Sequence, residues 1–267
     1  MIRDITIGQY YKADSVIHRL DPRVKLMGTL IFIISLFMGM NIWIYAVVTV
    51  ALAVVIKMSR IPLKFMVRGL KSIVILIIIS AVFNLFLTPG DVLIQIWKLT
   101  ITYQGLKMAI FMVVRLIYLI VGTSLMTLTT TPNNLTDGLE KGLGFLKVIK
   151  VPVHEIAMMM SIALRFIPIL IEETDKIMKA QMARGADFEN GSLIKRAKAM
   201  VPILVPLFVS AFRRANELAM AMEARCYHGG DNRTQMKPLQ YKKRDYLAYG
   251  VLAAYLAVAI GFRVAGL

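Results

Sequence analysis

The sequence predicts an all-α, multi-pass membrane protein with about five transmembrane helices and a cytoplasmic domain of three helices, two of them long, between the fourth and fifth spans. Of its 267 residues, 58% are hydrophobic and the mean hydropathy is +0.67, whereas soluble domains contain about 45–50% apolar residues. The chain also carries a net charge of +16, and its basic residues alternate with uncharged runs of membrane length. Basic loops between apolar spans are typical of multi-pass membrane proteins.

Composition argues against several other classes of protein. A pI near 10.0 also occurs in nucleic-acid-binding proteins, but here the basic residues do not line one polar face, so we expect no nucleic-acid partner. The single Cys226 rules out an internal disulfide, and the three histidines have no metal-ligand spacing. No GxxxxGK[ST] phosphate loop occurs. We therefore expect no metal and no cofactor in this chain, and no ATP binding through such a loop.

The N-terminal part begins with a polar arm and continues into apolar helices. Residues 1–20 have no apolar core of the kind found in a signal peptide. Asp21 as N-cap and Pro22 at the first helical position predict a helix start. The uncharged run 26–56 is too long for one span of about 20 residues and short for two. Because Gly39-Met40-Asn41 offers a turn, we predict two short helices, with one long tilted helix as the alternative.

Basic and loop-like segments separate the remaining spans. Residues 57–71 contain basic side chains and no acid, and residues 88–104 contain Pro89 and Gly90, so both are predicted to be loops. The remaining spans are predicted at 72–88, 107–129 and 246–262. Arg115 lies inside the fourth span, where a charge is a candidate functional group or, as we favour, extends to the nearer interface.

The distribution of basic residues predicts the topology. When the N-terminus, the 57–71 loop and residues 131–244 are placed on one side, that side holds all basic residues except Lys98, Lys107, Arg115 and Arg263. This side is then cytoplasmic, and an odd number of spans leaves the C-terminus outside the cell. The predicted organisation is an N-terminal arm with four transmembrane helices (1–130), cytoplasmic helices (131–244) and a last transmembrane helix (245–267).

The cytoplasmic region is predicted to contain one short and two long helices. These are predicted at 132–146, 152–184 and 192–225, the first of them capped by Thr131 with Pro132 at its first position. The apolar parts of the two long helices are too short to cross a bilayer comfortably, and runs of 10–14 residues are more typical of buried or interfacial helices. We therefore expect both helices to lie along the inner membrane surface, with their charged ends directed away from it.

A short motif recurs at the ends of the two long helices. "KAQMARGADF" and "AMAMEARCYH" place Arg184 and Arg225 between small residues, 41 positions apart. A cation at a helix C-terminus complements the helix dipole, and glycine is a common helix terminator. The repetition instead favours two docking sites, because small neighbours leave each guanidinium open to bidentate capture by a partner's carboxylate. The candidate partner-binding residues are Ala183, Arg184, Gly185, Ala224, Arg225 and Cys226.

These motifs carry a resemblance to a known family. Together with "HRLDPRVKL", "TTTPNNL", "ALRFIPIL" and "PLFVSAFRRANELAMAMEARCY", they resemble the transmembrane coupling subunit of energy-coupling factor transporters, which are ATP-driven micronutrient importers of prokaryotes. The resemblance implies a location in the cell membrane and three partners: two ABC-type ATPase subunits and a small substrate-binding membrane subunit. It further implies that Arg184 docks into one ATPase and Arg225 into the other, and that the apolar parts of the long helices cradle the substrate-binding subunit.

One departure and several alternatives accompany this resemblance. Cys226 stands where the family pattern has glycine, and because a small residue is kept, we expect docking to survive. One alternative is the permease subunit of a dedicated cobalt/nickel or biotin importer. Another is a polytopic membrane enzyme that acts on lipids, but Glu172, Glu173 and Asp175 lack the spacing partner that an acidic metal cluster would need.

Overall fold

The computed structural model describes residues 10–39, 41–71, 73–96, 99–186, 188, 192–230, 236 and 238–264. This described part is almost entirely helical, with one two-stranded antiparallel hairpin, which confirms the predicted all-α class. In chain order the elements are α1 (Pro22–Phe37), α2 (Ile42–Ser59), α3 (Leu63–Lys71), α4 (Val74–Leu87), β1 (Val92–Ile96), β2 (Leu99–Thr102), α5 (Tyr103–Thr129), α6 (Pro132–Gly142), a 3-10 turn (Gly144–Ile149), α7 (Val153–Ala183), α8 (Leu193–Glu223) and α9 (Lys243–Val264).

The chain divides into two compact units. The larger unit contains α1 to α6, the hairpin and α9, and the smaller unit contains the 3-10 turn, α7, α8 and the chain up to Pro238. Helix α6 thus belongs to the larger unit. The functional division at residues 130 and 244 stays a prediction.

Among the described residues, four helices are long and apolar enough to cross a membrane, and the bent pair α3 and α4 would add a fifth. The four are α2, α5, α7 and α9, so the total agrees with the predicted number of spans. The helices that make up this total differ from the predicted spans in two cases. Helix α1, predicted as a short span, has 16 residues, fewer than the roughly 20 that cross the hydrocarbon core. Helix α7, predicted to lie on the membrane surface, has the length and composition of a span, because its apolar first half and mixed second half form one helix of 31 residues.

The first two helices begin at local capping signals that the sequence contains. The Asp21 side chain accepts a hydrogen bond from the Arg23 amide, 2.9 Å away, and Pro22 opens α1. The Asn41 side chain accepts from the Trp43 amide at 3.1 Å and caps α2. The two-helix prediction is confirmed, and the alternative of one long tilted helix is wrong.

Three local predictions need correction. The 57–71 segment is not only a loop, because α3 forms within it and buries Met66 in the core. The 88–104 segment contains the β1–β2 hairpin, whose β-branched residues favour strands. The helix predicted to reach Leu146 ends at Gly142 and is followed by a 3-10 turn. Glycines at 142 and 144 disfavour the continuation of an α-helix.

Helix α5 forms the centre of the larger unit. One buried cluster joins it to α2 and α3, and its members are Leu52, Ile61, Met66, Val121, Leu125 and Leu128. At Gly105 the helix lies against the end of α4, where a Cβ would approach the Leu85 carbonyl oxygen to 2.9 Å. A side chain at position 105 would therefore push α4 and α5 apart.

Arg115 of α5 contacts the end of α1 and the first turn of α2. Its Nε donates to the Tyr45 hydroxyl at 3.0 Å, and its guanidinium lies 5.1 Å from the centre of the Phe37 ring. Phe37 is the last residue of α1. These contacts give the guanidinium two aromatic partners within the larger unit, and the role of Arg115 stays open.

A polar junction joins the start of α1 to the start of α9. The buried Asp245 carboxylate accepts from the Asp21 amide at 2.9 Å and from the Lys242 amide at 2.8 Å. The Arg23 guanidinium pairs with Asp21 and lies 3.8 Å from the centre of the Tyr241 ring. Nearby, the Lys25 ammonium donates to the Thr129 carbonyl at 2.8 Å. The starts of α1 and α9 and the end of α5 therefore lie at the same end of the larger unit.

Candidate partner-docking site

Helix α7 ends in a hydrogen-bonded turn centred on Arg184. The Gly185 amide donates to the Met182 carbonyl at 2.9 Å, and the Ala186 amide donates to the Gln181 carbonyl at 3.0 Å. This pair of bonds is the Schellman motif, in which the residue after the cap adopts a left-handed conformation. Gly185 does so, with a φ of 88°.

Helix α8 ends in the same motif. The Cys226 amide donates to the Glu223 carbonyl at 2.8 Å, and the Tyr227 amide donates to the Met222 carbonyl at 3.1 Å. Cys226 has a φ of 53° and so adopts the left-handed conformation despite its Cβ. Arg225 therefore occupies the position in its turn that Arg184 occupies in the first.

Both turns present their arginine to solvent. Each of the six candidate residues is exposed. Within the part of the chain that the structure describes, neither Arg184 nor Arg225 forms a side-chain ion pair. Each guanidinium is therefore available to an acidic group of another molecule.

The two arginines lie at opposite ends of an antiparallel helix pair. An ion pair joins the helices, with 3.2 Å between Arg214 Nη2 and Glu173 Oε2. Further along the pair, Met158 of α7 and Met222 of α8 line the same cavity, so the helices run in opposite directions. Arg184 and Arg225 each follow their member of the ion pair by 11 residues, about 16 Å along a helix. The two arginines are therefore far apart along the helix pair rather than side by side.

The ion pair repeats the spacing of the motif. Glu173 and Arg214 are 41 positions apart, as are the two arginines. Glu173 and Arg214 therefore lie at equivalent distances along the chain from the two motif arginines. The acidic residue on α7 binds the basic residue on α8.

A cavity of about 470 Å³ adjoins Arg225. Its wall consists of Met158, Ile162, Leu218, Met222, Arg225, Cys226, Tyr227, His228 and Gly229. An apolar side chain of a partner could enter here beside a carboxylate bound to Arg225. The sequence did not indicate this cavity, because its lining comes from segments about 60 residues apart that only the antiparallel pairing brings together.

Large apolar side chains are exposed on both long helices. They include Ile156, Met159, Met160 and Ile167 on α7, and Met200, Val201, Leu204, Val205, Phe208, Val209 and Phe212 on α8. Apolar surface of this extent on a smaller unit indicates contact with lipid or with another apolar protein surface.

Replacing Cys226 by glycine is expected to stabilise the end of α8. The left-handed conformation costs a residue with a Cβ about 1–2 kcal/mol, and glycine avoids most of this cost. Hydrogen exchange at the Tyr227 amide should therefore slow by about fivefold or more. Ala224→Gly, in the helix just before the turn, is the matched control and should accelerate exchange at the same amide. Equal or faster exchange in the Cys226→Gly variant would show that the turn carries no such strain.

Membrane-length helices joined to a separate pair of long helices define a multi-pass membrane protein with an accessory helical unit. Among the residues that the structure describes, no three His, Cys, Asp or Glu side chains are placed to hold a metal ion. The family model CbiQ, described as cobalt transport protein, matches residues 13–236.

Similar proteins of known name identify the family within this class of membrane proteins. The energy-coupling factor transporter transmembrane protein EcfT of Clostridium kluyveri is 54% identical over 99% of this chain and 98% of the relative. The proteins of that name from Thermosediminibacter oceani and Bacillus subtilis are 56% and 47% identical, over 94% and 96% of this chain and 96% and 98% of their own lengths. The chain belongs to this family of transmembrane transport proteins, and the resemblance stated from the motifs is confirmed.

Proposed function

We propose that this chain is the coupling component of an ATP-driven micronutrient importer, transmitting the motion of partner ATPases to a separate substrate-binding membrane subunit. Family membership supports transport as the function. The observation that carries the coupling role is the pair of matching helix ends, each with an exposed arginine. In this proposal the chain itself is not catalytic, and the ATPases hydrolyse ATP.

Each arginine docks one ATPase subunit. A planar guanidinium binds a carboxylate through two parallel hydrogen bonds, which fixes orientation as well as adding affinity. Because Arg184 and Arg225 lie at opposite ends of the helix pair, they engage two ATPase subunits rather than two points on one. The cavity beside Arg225 gives that end an additional apolar contact.

The exposed apolar faces of α7 and α8 receive the substrate-binding subunit. Methionines such as Met159, Met160 and Met200 contribute to these faces, and flexible thioether side chains suit surfaces that repack against different partners. A single coupling component could then serve more than one substrate-binding subunit.

Coupling follows from the connection between the helices. When ATP binding closes the ATPase dimer, the two docked helix ends move relative to each other. The Glu173–Arg214 ion pair joins the helices between those ends, so their displacement reorients the apolar faces and the subunit bound to them. Substrate is thereby released into the cell.

In the proposed orientation the N-terminus and the α6–α8 region are cytoplasmic and the C-terminus is outside the cell membrane. Helix α1 then crosses as a short span, and α7 lies along the inner membrane surface although it is long and apolar enough to cross. The junction around Asp245 supports a common side for the start of α1, the end of α5 and the start of α9. The basic residues that flank these points agree with a cytoplasmic side.

Mass spectrometry of the intact detergent-solubilised complex tests the proposal. The chain should be detected with two ATPase subunits and one small membrane protein. Recovery of the chain alone, or only with copies of itself, when the ATPases are present in the same membranes would contradict the coupling role.

The cobalt-transport description of the family favours a second candidate, a dedicated metal importer. A dedicated metal importer predicts the same small subunit in every complex. A shared coupling component predicts different small subunits in different complexes, one in each.

A further inference from the structure

The 3-10 turn between α6 and α7 exposes three large apolar side chains. Phe145, Val148 and Ile149 are 66%, 90% and 69% exposed. The turn is an ordered element, because the Lys150 amide donates to the Lys147 carbonyl at 3.0 Å and the Val151 amide donates to the Leu146 carbonyl at 3.3 Å. A defined turn that holds apolar side chains outward is a candidate contact surface.

The charged side chains within this turn are all basic, and Glu140 and Glu155 flank it. Residues 141–154 contain Lys141, Lys147 and Lys150 and no acidic residue, and all three lysines are exposed. Apolar side chains interspersed with lysines are the composition of segments that lie in the interface of anionic membranes. The charge is complementary to lipid phosphates.

This segment follows α6 directly in the chain. Helix α6 packs on the start of α1 so closely that a Cβ at Gly138 would lie 2.8 Å from the Pro22 Cβ. Gly142 ends α6, and the three residues from there to Phe145 reach at most about 11 Å. The segment therefore begins within a few residues of a helix that packs on the start of α1.

We propose that residues 143–151, the interfacial turn, insert Phe145, Val148 and Ile149 into the headgroup region of the bilayer. Lys147 and Lys150 then bind the phosphates of anionic phospholipids. Apolar insertion and electrostatic attraction together hold such segments at a membrane surface. This contact is separate from the docking of ATPases at Arg184 and Arg225.

Fluorescence quenching in vesicles tests whether the turn enters the membrane. In a Cys226→Ser background, Val148→Cys provides a single thiol for an environment-sensitive fluorophore. The full chain is reconstituted without partner proteins into vesicles of equal parts phosphatidylcholine and phosphatidylglycerol with brominated acyl chains. A label at position 148 should be quenched severalfold more than a label at Glu223→Cys, an exposed position at the end of α8. Equal quenching at the two positions would overturn the proposal.

Lysine substitutions test the lipid charge. One lysine contributes about fivefold to association with an anionic surface, so Lys147→Gln with Lys150→Gln should shift the equilibrium between inserted and exposed turn by about 30-fold. Lys176→Gln with Lys179→Gln, the same charge change on α7, should leave quenching at position 148 unchanged. Unchanged quenching in the first variant would refute the role of the lysines. Shielding of position 148 only after a partner subunit is added would identify the turn as a protein interface and overturn the proposal.

Discussion

Replacing Arg184 and Arg225 together by glutamate is expected to abolish co-purification of ATPase subunits while the chain still inserts into the membrane. Each glutamate would face the carboxylate that the arginine is proposed to bind, so an attractive pair becomes a repulsive one. Loss of one buried charge pair typically costs about 2–5 kcal/mol of binding free energy. Each single variant should therefore weaken assembly by 30-fold or more, and the double variant should eliminate it. Affinity purification followed by an ATPase assay measures both effects.

The matched control for the arginine variants keeps the charge change but moves it away from the helix ends. Lys176→Glu with Arg213→Glu alters exposed basic residues on the same two helices and should leave ATPase recovery within about twofold of the unaltered chain, because exposed charges away from an interface contribute little. Full assembly of the Arg184→Glu, Arg225→Glu variant would rule out docking through these residues.

Reversing one charge of the Glu173–Arg214 pair is expected to impair transport, and reversing both is expected to restore it. Either Glu173→Arg or Arg214→Glu alone replaces this 3.2 Å ion pair by two like charges that face each other. Because the two side chains are only 28% and 36% exposed, solvent screens this repulsion incompletely. We expect each single variant to lose about 1–2 kcal/mol of stability in the α7–α8 pair and the double variant to recover most of it. Thermal unfolding and ATP-dependent substrate uptake by the assembled complex measure the effect.

A second ion pair on the same helix serves as the control for this cycle. Lys179 and Asp175 are 3.4 Å apart within α7, and exposed pairs of this spacing contribute about 0.3–0.5 kcal/mol. Asp175→Arg should therefore alter uptake little. If the Glu173 and Arg214 single variants behave like Asp175→Arg, the ion pair does not transmit motion between the helices.

The helix boundaries near local signals could be predicted from the sequence. Asp21 with Pro22 marked the start of α1, and Gly185 marked the end of α7, because capping and helix termination depend on a few consecutive residues. The position of the six candidate docking residues at two helix ends could be predicted for the same reason, since both copies of their motif are contiguous. Their docking to a partner stays a prediction.

The missed features depend on contacts between distant residues. Helix α3 was taken for a basic loop, because its burial through Met66 requires α2 and α5 to be in place. The pairing of Glu173 with Arg214 and the cavity beside Arg225 both require the antiparallel arrangement of α7 and α8. At Cys226 the residue type alone did not predict the backbone conformation. Cysteine is disfavoured in the left-handed region, but Cys226 adopts that conformation because two backbone hydrogen bonds of the turn outweigh the cost of its Cβ.

The junction at Asp245 also sets an order on biosynthesis. Asp21 precedes Asp245 by 224 residues, and its amide donates to that carboxylate at the start of α9. This hydrogen bond can form only after the ribosome has synthesised the start of α9, by which time α7 and α8 have already been made. A nascent chain interrupted before α9 therefore carries Arg184 and Arg225 on a larger unit that lacks this junction.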